Sequence, residues 1–198
     1  MNFPINEYVL PEVIGLVGPA QHGKSTSAHI LGELGYVRLP MATPLKNMLK
    51  AGFGITDADM SDGYKEKADW RFCGHSPRYA LQTLGTEWGR EFLGEHVWLN
   101  AWQATRETIG AKYVVIDDIR FYNEMKMVSD LGGALFEITR PGHGYIKASE
   151  HPSEVEWARH RDMVDWTIIN DGDGSTLRSR LEKALYGVSE KVSTEAVN

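Results

Sequence analysis

The chain has 198 residues, 42% hydrophobic and 24% charged, with 20 Gly, 8 Pro and one Cys. That balance excludes collagen-like, coiled-coil and disordered classes, and Cys73 alone supplies neither a disulfide nor a structural metal site. With 21 Lys and Arg against 27 Asp and Glu, the net charge of −6 makes the surface as a whole repel polyanions, leaving only a local basic pocket to receive phosphate.

At this length a chain buries roughly 70% of the surface it exposes unfolded, enough for a core without covalent staples. No run approaches the roughly 20 apolar residues that cross a bilayer, and the first twenty residues lack a basic stretch followed by a long apolar one. A cytoplasmic protein with no membrane partner is expected.

In chain order, Glu12 to Val17 is a short apolar run stopping at Gly18-Pro19, which predicts a buried parallel strand. From Lys24 the spacing becomes helical, with Ala28, Leu31 and Leu34 on one side and Gly35 as the stop. Tyr36 to Leu39 reads as a strand, and a helix begins near Pro44. Residues 52–75 show no clear period and read as short helices and loops. Ser76-Pro77 gives an N-cap and a first helical proline; Leu81, Leu84, Trp88 and Phe92 follow at helical spacing, and helix continues from Val97 to Thr108. Strands are predicted at Tyr113 to Asp118, Leu135 to Thr139 and Trp166 to Ile169, and helices at 121–131 and 174–186. The βαβα rhythm implies a parallel sheet of about five strands covered on both faces. No repeat or linker divides the chain, so one domain is expected over 1–187, with an insertion at about 52–108 and a frayed tail at 188–198.

Gly18-Pro19-Ala20-Gln21-His22-Gly23-Lys24-Ser25 matches the phosphate-loop pattern G-x-x-x-x-G-K-[ST] in full. Between a strand and a helix, such a loop turns backbone N–H groups around a phosphate while the helix N-terminus faces the same anion. The nucleotide contacts are therefore Gly18, Gln21, His22, Gly23, Lys24, Ser25 and Thr26, with the Lys24 ammonium on the β- and γ-phosphates and the Ser25 hydroxyl on Mg²⁺. His22 reads as a neutral filler of the loop with no catalytic part.

The loop says only that a nucleoside triphosphate binds. Arg78, Arg90, Arg120 and Arg140 stand near predicted strand ends or in the helical insertion, where guanidinium groups could meet a second phosphate. In Asp117-Asp118-Ile119-Arg120, strand alternation sends the two acids to opposite faces. Asp118 is expected nearer the crevice, as a metal ligand or base, with Arg120 neutralising phosphate; an N-cap on the next helix is the competing role. Trp88, Trp98 and Trp102 read first as core, and the Arg159-His160-Arg161 run as a solvated face.

Four blocks together resemble the bacteriophage deoxynucleoside monophosphate kinases from residue 13 to about 185. They are the phosphate loop; Pro77 to Arg90 (PRYALQTLGTEWGR); Asp118 to Glu124 (DIRFYNE); and Gly132-Gly133 followed by Arg140-Pro141-Gly142. Ser149-Glu150-His151 and Asn170-Asp171-Gly172 are weaker echoes. The resemblance implies a three-layer P-loop kinase fold with a small lid at about 140–160. It also implies ATP and Mg²⁺ as cofactors and transfer of the γ-phosphoryl group to a deoxynucleotide 5′-phosphate. By position, Lys24, Asp118, Arg120, Glu124 and Arg140 become the catalytic group. Lys46, Arg78, Gln82, Thr86, Trp88 and Arg90 approach the acceptor, and Ser25 and Asp118 hold the metal. Such kinases often carry Asp where this chain has Ser25 and an acid where it has Thr43.

Two rivals follow from the same residues. A kinase acting on a hydroxymethylated pyrimidine within DNA would need Asp118 as a true base and a basic groove, against which the net charge speaks. A non-enzymatic switch would need no acceptor arginines, and the chain lacks an Asn-Lys-x-Asp guanine-recognition segment. A homodimer is compatible with the sequence, which shows no seam for one.

Overall fold

The computed structural model describes residues 9–61, 63–143 and 156–195. The chain divides into two compact units: Met1–Pro40 with Ala111–Asn198, and Met41–Gly110 between them. The expected insertion at 52–108 is thus wider. It opens with the helix at Pro44, whose buried face belongs to the inserted unit.

The first unit is built on five parallel strands: β1 (Val13–Val17), β2 (Val37–Arg38), β3 (Val114–Ile116), β4 (Ala134–Thr139) and β5 (Trp166–Ile169), in the order β2-β3-β1-β4-β5. All five residues of β1 are buried, because a central parallel strand has both faces covered and needs no polar alternation. Both residues of the edge strand β2 are exposed. Helix α1 (Lys24–Glu33) follows β1, α5 (Tyr122–Asp130) follows β3, and α6 (Gly174–Glu195) follows β5. Ile14, Leu16, Phe136, Ile138 and Ile168 of the sheet form one core with Ala28 and Leu31 of α1 and Leu177 and Leu181 of α6. On the other face Gly15 lets α5 approach: a Cβ there would lie 2.4 Å from Ile119 Cδ1 and 3.2 Å from Val128 Cγ2.

The helix expected at 174–186 continues to Glu195. Residues 188–195 lack an apolar stripe but contain neither Gly nor Pro, and extending a formed helix costs far less than starting one. Two turns of 3₁₀ helix at Glu156–Met163, interrupted at His160, were not predicted because they carry no helical hydrophobic period.

The inserted unit contains α2 (Thr43–Phe53), α3 (Pro77–Thr83), a π-helical continuation at Leu84–Leu93 and α4 (Val97–Ile109). Leu49, Ile55 and Phe72 form its small core, with Leu81 and Leu84 against them. Trp98 and Trp102 are buried as the spacing predicts, whereas Phe92 is 81% exposed and Trp88 43% exposed. The widening of the helix explains why their apparent stripe does not stay inside. Trp98 Nε1 donates to the Gly85 carbonyl at 2.8 Å, and a Cβ on Gly89 would lie 2.3 Å from the same nitrogen, so Gly89 admits the indole against the backbone.

Candidate active site

The chain leaves β1 for β3 and β2 on one side of the sheet and returns through β4 and β5 on the other. The carboxyl end of β1 is therefore the switch point where open α/β sheets bind ligands. The phosphate loop begins there. Gly18 has φ +133°, and a Cβ would stand 2.3 Å from the Ile138 carbonyl oxygen. Gly23 has φ +104° and faces Asn170 Nδ2 at 2.4 Å from the same hypothetical atom. At Gly18 a side chain would require the end of β4 to move, and at Gly23 the left-handed backbone disfavours one and the Asn170 side chain stands in its way. Gln21 adopts φ 64°, a left-handed conformation that non-glycine residues seldom take outside tight turns and ligand sites.

Lys24 Nζ donates to the carbonyls of Gly18 at 2.6 Å and Pro19 at 2.8 Å, so the ammonium is folded over the loop. Gly23 caps α1 with no side-chain hydrogen bond, and the first turn holds no acid. Helix α1 thus leaves its N-terminal N–H groups and positive dipole end to an anion. Ser25 and Thr26 are exposed on that turn.

The ends of β4 and β5 hold this loop from the far side. His22 is 4% exposed; its Nδ1 accepts the backbone N–H of Arg140 at 3.0 Å, and its carbonyl accepts from Asn170 Nδ2 at 3.0 Å. The Asn170 backbone N–H in turn donates to the Thr139 carbonyl at 2.7 Å. His22 is therefore a cross-link between loop and sheet, more than the filler its position suggests. The Arg140 side chain is exposed.

At the end of β3 the two acids separate as alternation requires. Asp117 is buried, and its Oδ2 accepts from Arg38 Nε at 3.0 Å and Nη2 at 2.7 Å. These bonds, with the neighbouring Asp118 charge adding to them, hold the Arg38 guanidinium above its ordinary pKa. Asp118 is half-buried and Arg120 exposed. Neither Asp takes the competing role of N-cap. The N-cap of α5 is Phe121, and Glu124 satisfies the turn, its Oε2 accepting from the N–H of Arg120 at 2.7 Å and of Phe121 at 3.1 Å. Glu124 is buried in that role and fixes the backbone from which Arg120 projects.

A third linkage lies on β4. Glu137 is buried, accepting from Arg161 Nη2 at 2.5 Å and Thr167 Oγ1 at 3.3 Å. The basic run at 159–161 is therefore no simple solvated face, since Arg161 neutralises a carboxylate on the sheet and lies over Trp157 at 5.4 Å. An acid within an otherwise apolar strand was the available signal. For Arg38 it was an arginine closing a strand next to the Asp117-Asp118 pair; for His22 there was none. The lid expected at about 140–160 falls largely outside the described residues, as do Ser149, Glu150, His151 and Glu154.

The six acceptor-side candidates all belong to the inserted unit. Lys46 is half-buried on α2; Arg78 and Gln82 are on α3; Thr86, Trp88 and Arg90 are on the π-helical continuation. Arg78 pairs with Glu66. Four-residue steps overshoot an α-helical turn of 3.6 residues by about 40°, and undershoot the wider π turn. The change of pitch after Thr83 thus keeps Arg78, Gln82, Thr86 and Arg90 closer to one row than a continuous α-helix would. Trp88 lies beside Trp98, ring centroids 6.1 Å apart.

Among the described residues, no group of three or more His, Cys, Asp and Glu is placed to hold a metal ion, and no helix is long and apolar enough to cross a membrane.

No family model matches the chain. A protein of Acanthamoeba polyphaga mimivirus named deoxynucleotide monophosphate kinase is 34% identical over 173 residues, covering 80% of this chain and 88% of its own length. The deoxynucleoside-5′-monophosphate kinase of Escherichia phage T5 is 32% identical over 84 residues, 40% of this chain and 34% of that one. Among solved structures, TT1252 from Thermus thermophilus superposes with a TM-score of 0.54 at 18% identity, covering 90% of this chain and 98% of its own. Dephospho-CoA kinase from Campylobacter jejuni gives 0.51 at 13% identity, covering 91% and 98%. At these identities the structural likeness is one of fold, the P-loop kinase fold that the family resemblance implies.

Proposed function

The chain belongs to the deoxynucleotide monophosphate kinase family and is an ATP-dependent phosphotransferase acting on deoxynucleoside monophosphates, and from that premise we propose how its residues divide the reaction. An oxygen of the acceptor 5′-phosphate attacks the γ-phosphorus of ATP; the bond from that phosphorus to the β–γ bridging oxygen breaks, and ADP leaves. The attacking group is already ionised, so no protein base is required, and catalysis consists of alignment and charge neutralisation.

The observation that carries this assignment is the phosphate loop itself. Its glycines have left-handed backbones crowded by the β4 end and by Asn170, its lysine is drawn over the loop, and the helix behind it has no side-chain cap. The loop and α1 receive the donor triphosphate, and the Lys24 ammonium exchanges its two carbonyl partners for phosphate oxygens. Arg120 and Arg140 add positive charge where the transferring group becomes most anionic. Glu124 acts by positioning Arg120. Lys46, Arg78, Gln82, Thr86 and Arg90 bind the acceptor, and the exposed face of Trp88 is available to its base.

Mg²⁺ fits the donor set. The hard ion takes oxygen ligands, and in nucleotide sites only one or two come from protein. An exposed Ser25 hydroxyl stands next to the loop lysine in the chain, and a half-buried carboxylate, Asp118, follows β3, so the set is of hard oxygen donors. Ser25 and Asp118 would hold the ion, which when bound offsets the charge of the phosphate oxygens.

The test is ADP release with ATP and Mg²⁺ against dAMP, dGMP, dCMP, dTMP, 5-hydroxymethyl-dUMP and hydroxymethyluracil-containing DNA. Turnover of one or more free monophosphates is expected. Turnover of the DNA alone, or ATP binding with no turnover of any acceptor, would overturn the reading.

A further inference from the structure

The His22 imidazole contributes something that the nucleotide chemistry of the loop does not require. Residues between the two glycines of a phosphate loop act mainly through backbone N–H groups, and most side chains are tolerated there. Here the side chain turns inward, is 4% exposed, and spends Nδ1 on the backbone N–H of Arg140, 118 residues away in the chain. The accepting Nδ1 carries no proton, so the ring is neutral with its proton on Nε2, or would have to break this bond to become charged.

The bond joins two groups that must agree in position. Arg140 is the first residue beyond β4, and its backbone has no strand partner of its own: the parallel ladder between β4 and β5 ends at Thr139 with Ile169. His22 therefore supplies the next hydrogen bond in line, from the loop rather than from the sheet. Asn170, the residue beyond β5, secures the other side of His22 through its carbonyl. A rotation of the Arg140 backbone by one peptide would swing its exposed guanidinium through several ångströms, because a long side chain amplifies a change at its root.

We propose that His22 is a positioning residue: by accepting the Arg140 N–H from within the phosphate loop, it places the Arg140 guanidinium in register with the phosphates that the loop holds. The inference rests on the kinase reading above and deepens it. It accounts for a buried imidazole in a polar loop and gives Arg140 a fixed origin beyond the last rung of the sheet. Displacements of about an ångström near reacting groups can cost on the order of 100-fold in rate, so the device need not touch substrate to matter.

The test uses the full chain and three substitutions. Asn places its Oδ1 near the position of the imidazole Nδ1, whereas Gln places its polar end near Nε2, and Leu supplies no acceptor. Expected are a fall in kcat of about 10- to 100-fold for His22→Leu and His22→Gln, KM for ATP within about threefold, and recovery of most of the loss in His22→Asn. The second measurement is a double-mutant cycle with Arg140→Ala, which keeps the backbone N–H but removes the guanidinium. If His22 acts through that group, His22→Gln has little further effect on kcat in the Arg140→Ala background. Multiplicative losses in the cycle, equal kcat for the Asn and Gln variants, or wild-type kcat in both would overturn the proposal. Because Asn and Gln are both amides, their contrast survives even where His22→Leu fails to fold. Wild-type turnover is measured first: its absence on every monophosphate overturns the kinase reading and this inference with it, while wild-type turnover with unchanged variants overturns this inference alone.

Discussion

The two compact units bury different chemistry. In the sheet unit the interior holds His22, Ser27, Asp117, Glu124 and Glu137, and four of these five carry hydrogen bonds that cross between elements or close a turn. In the inserted helical unit the described residues give a small apolar core, while Trp70, Tyr64, Tyr79, Trp88 and Phe92 lie on its surface. Buried polar cross-links are costly unless satisfied and hold a single geometry once they are. The sheet unit is thus built to keep a fixed set of dipoles and charges around a phosphate. The helical unit has a partly exposed polar linkage instead, Arg71 with Asp59 and Asp69, and carries the acceptor-side candidates on its helices. The proposed roles amount to a division in which the sheet unit governs the rate of transfer and the helical unit governs which acceptor is held.

The sharpest way to break that division is at the loop. Lys24→Ala should reduce kcat by about 1,000-fold or more, since it removes a charge aimed at the transferring group in a preorganised site. Its urea midpoint should stay near wild type, because the two carbonyls that accept from the ammonium belong to its own loop. Arg120→Ala should lower kcat by about 100- to 1,000-fold, again with little change in acceptor KM. Near-normal turnover in either variant would remove the sheet unit from the chemistry.

The next effect is on stability. Arg38→Gln leaves the buried Asp117 carboxylate without the guanidinium that gives it two hydrogen bonds. Breaking a fully buried pair costs roughly 3–5 kcal/mol, and with Arg38 half-exposed a loss of about 2 kcal/mol is expected in equilibrium urea unfolding. Asp117→Asn in the same background should recover part of it. In the helical unit, Arg78→Ala and Arg90→Ala should instead raise KM for the monophosphate by about 10-fold each, with smaller changes in kcat. If these variants lose kcat and keep KM, the division between units fails.

What could be read beforehand follows the range of the interactions involved. The phosphate loop was legible because all its parts lie within eight residues and obey one backbone geometry. The strands were legible because apolar runs mark them, and so were the buried Trp98 and Trp102. Strand order was not, since parallel pairing of β1 with both β3 and β4 depends on contacts a hundred residues apart. Arg38 with Asp117 and His22 with Arg140 were hidden for the same reason, being 79 and 118 residues apart, and even the 24 residues between Glu137 and Arg161 exceed any local pattern. The α-to-π change after Thr83 was hidden differently. Spacings of three and four fit a helix of either pitch, and the packing of Trp98 against Gly89 is a contact no local spacing shows. Glu124 was placed correctly in the motif but assigned to the reaction, because its work on two backbone N–H groups needs Phe121 as the N-cap, a residue with no capping side chain.

The smallest expected effect concerns how β5 passes into α6. Asp173 precedes that helix, its Oδ1 accepting from the Thr176 N–H at 2.9 Å and the Ser175 hydroxyl at 2.7 Å. These bonds favour the ionised carboxylate, led by the Thr176 N–H, and lower its pKa from 3.8 to about 2. A carboxyl whose folded pKa lies below its unfolded value binds fewer protons when folded, so its contribution is complete above about pH 4. It is then lost as the pH falls through about 2. Asp173→Ala should therefore lower the thermal midpoint modestly at pH 7, and the gap from wild type should close between pH 4 and pH 2. The bonds of this carboxylate stay within its own turn, so kcat at pH 7 should be unchanged. A gap that is independent of pH would mean that the aspartate acts through packing rather than as a charged cap.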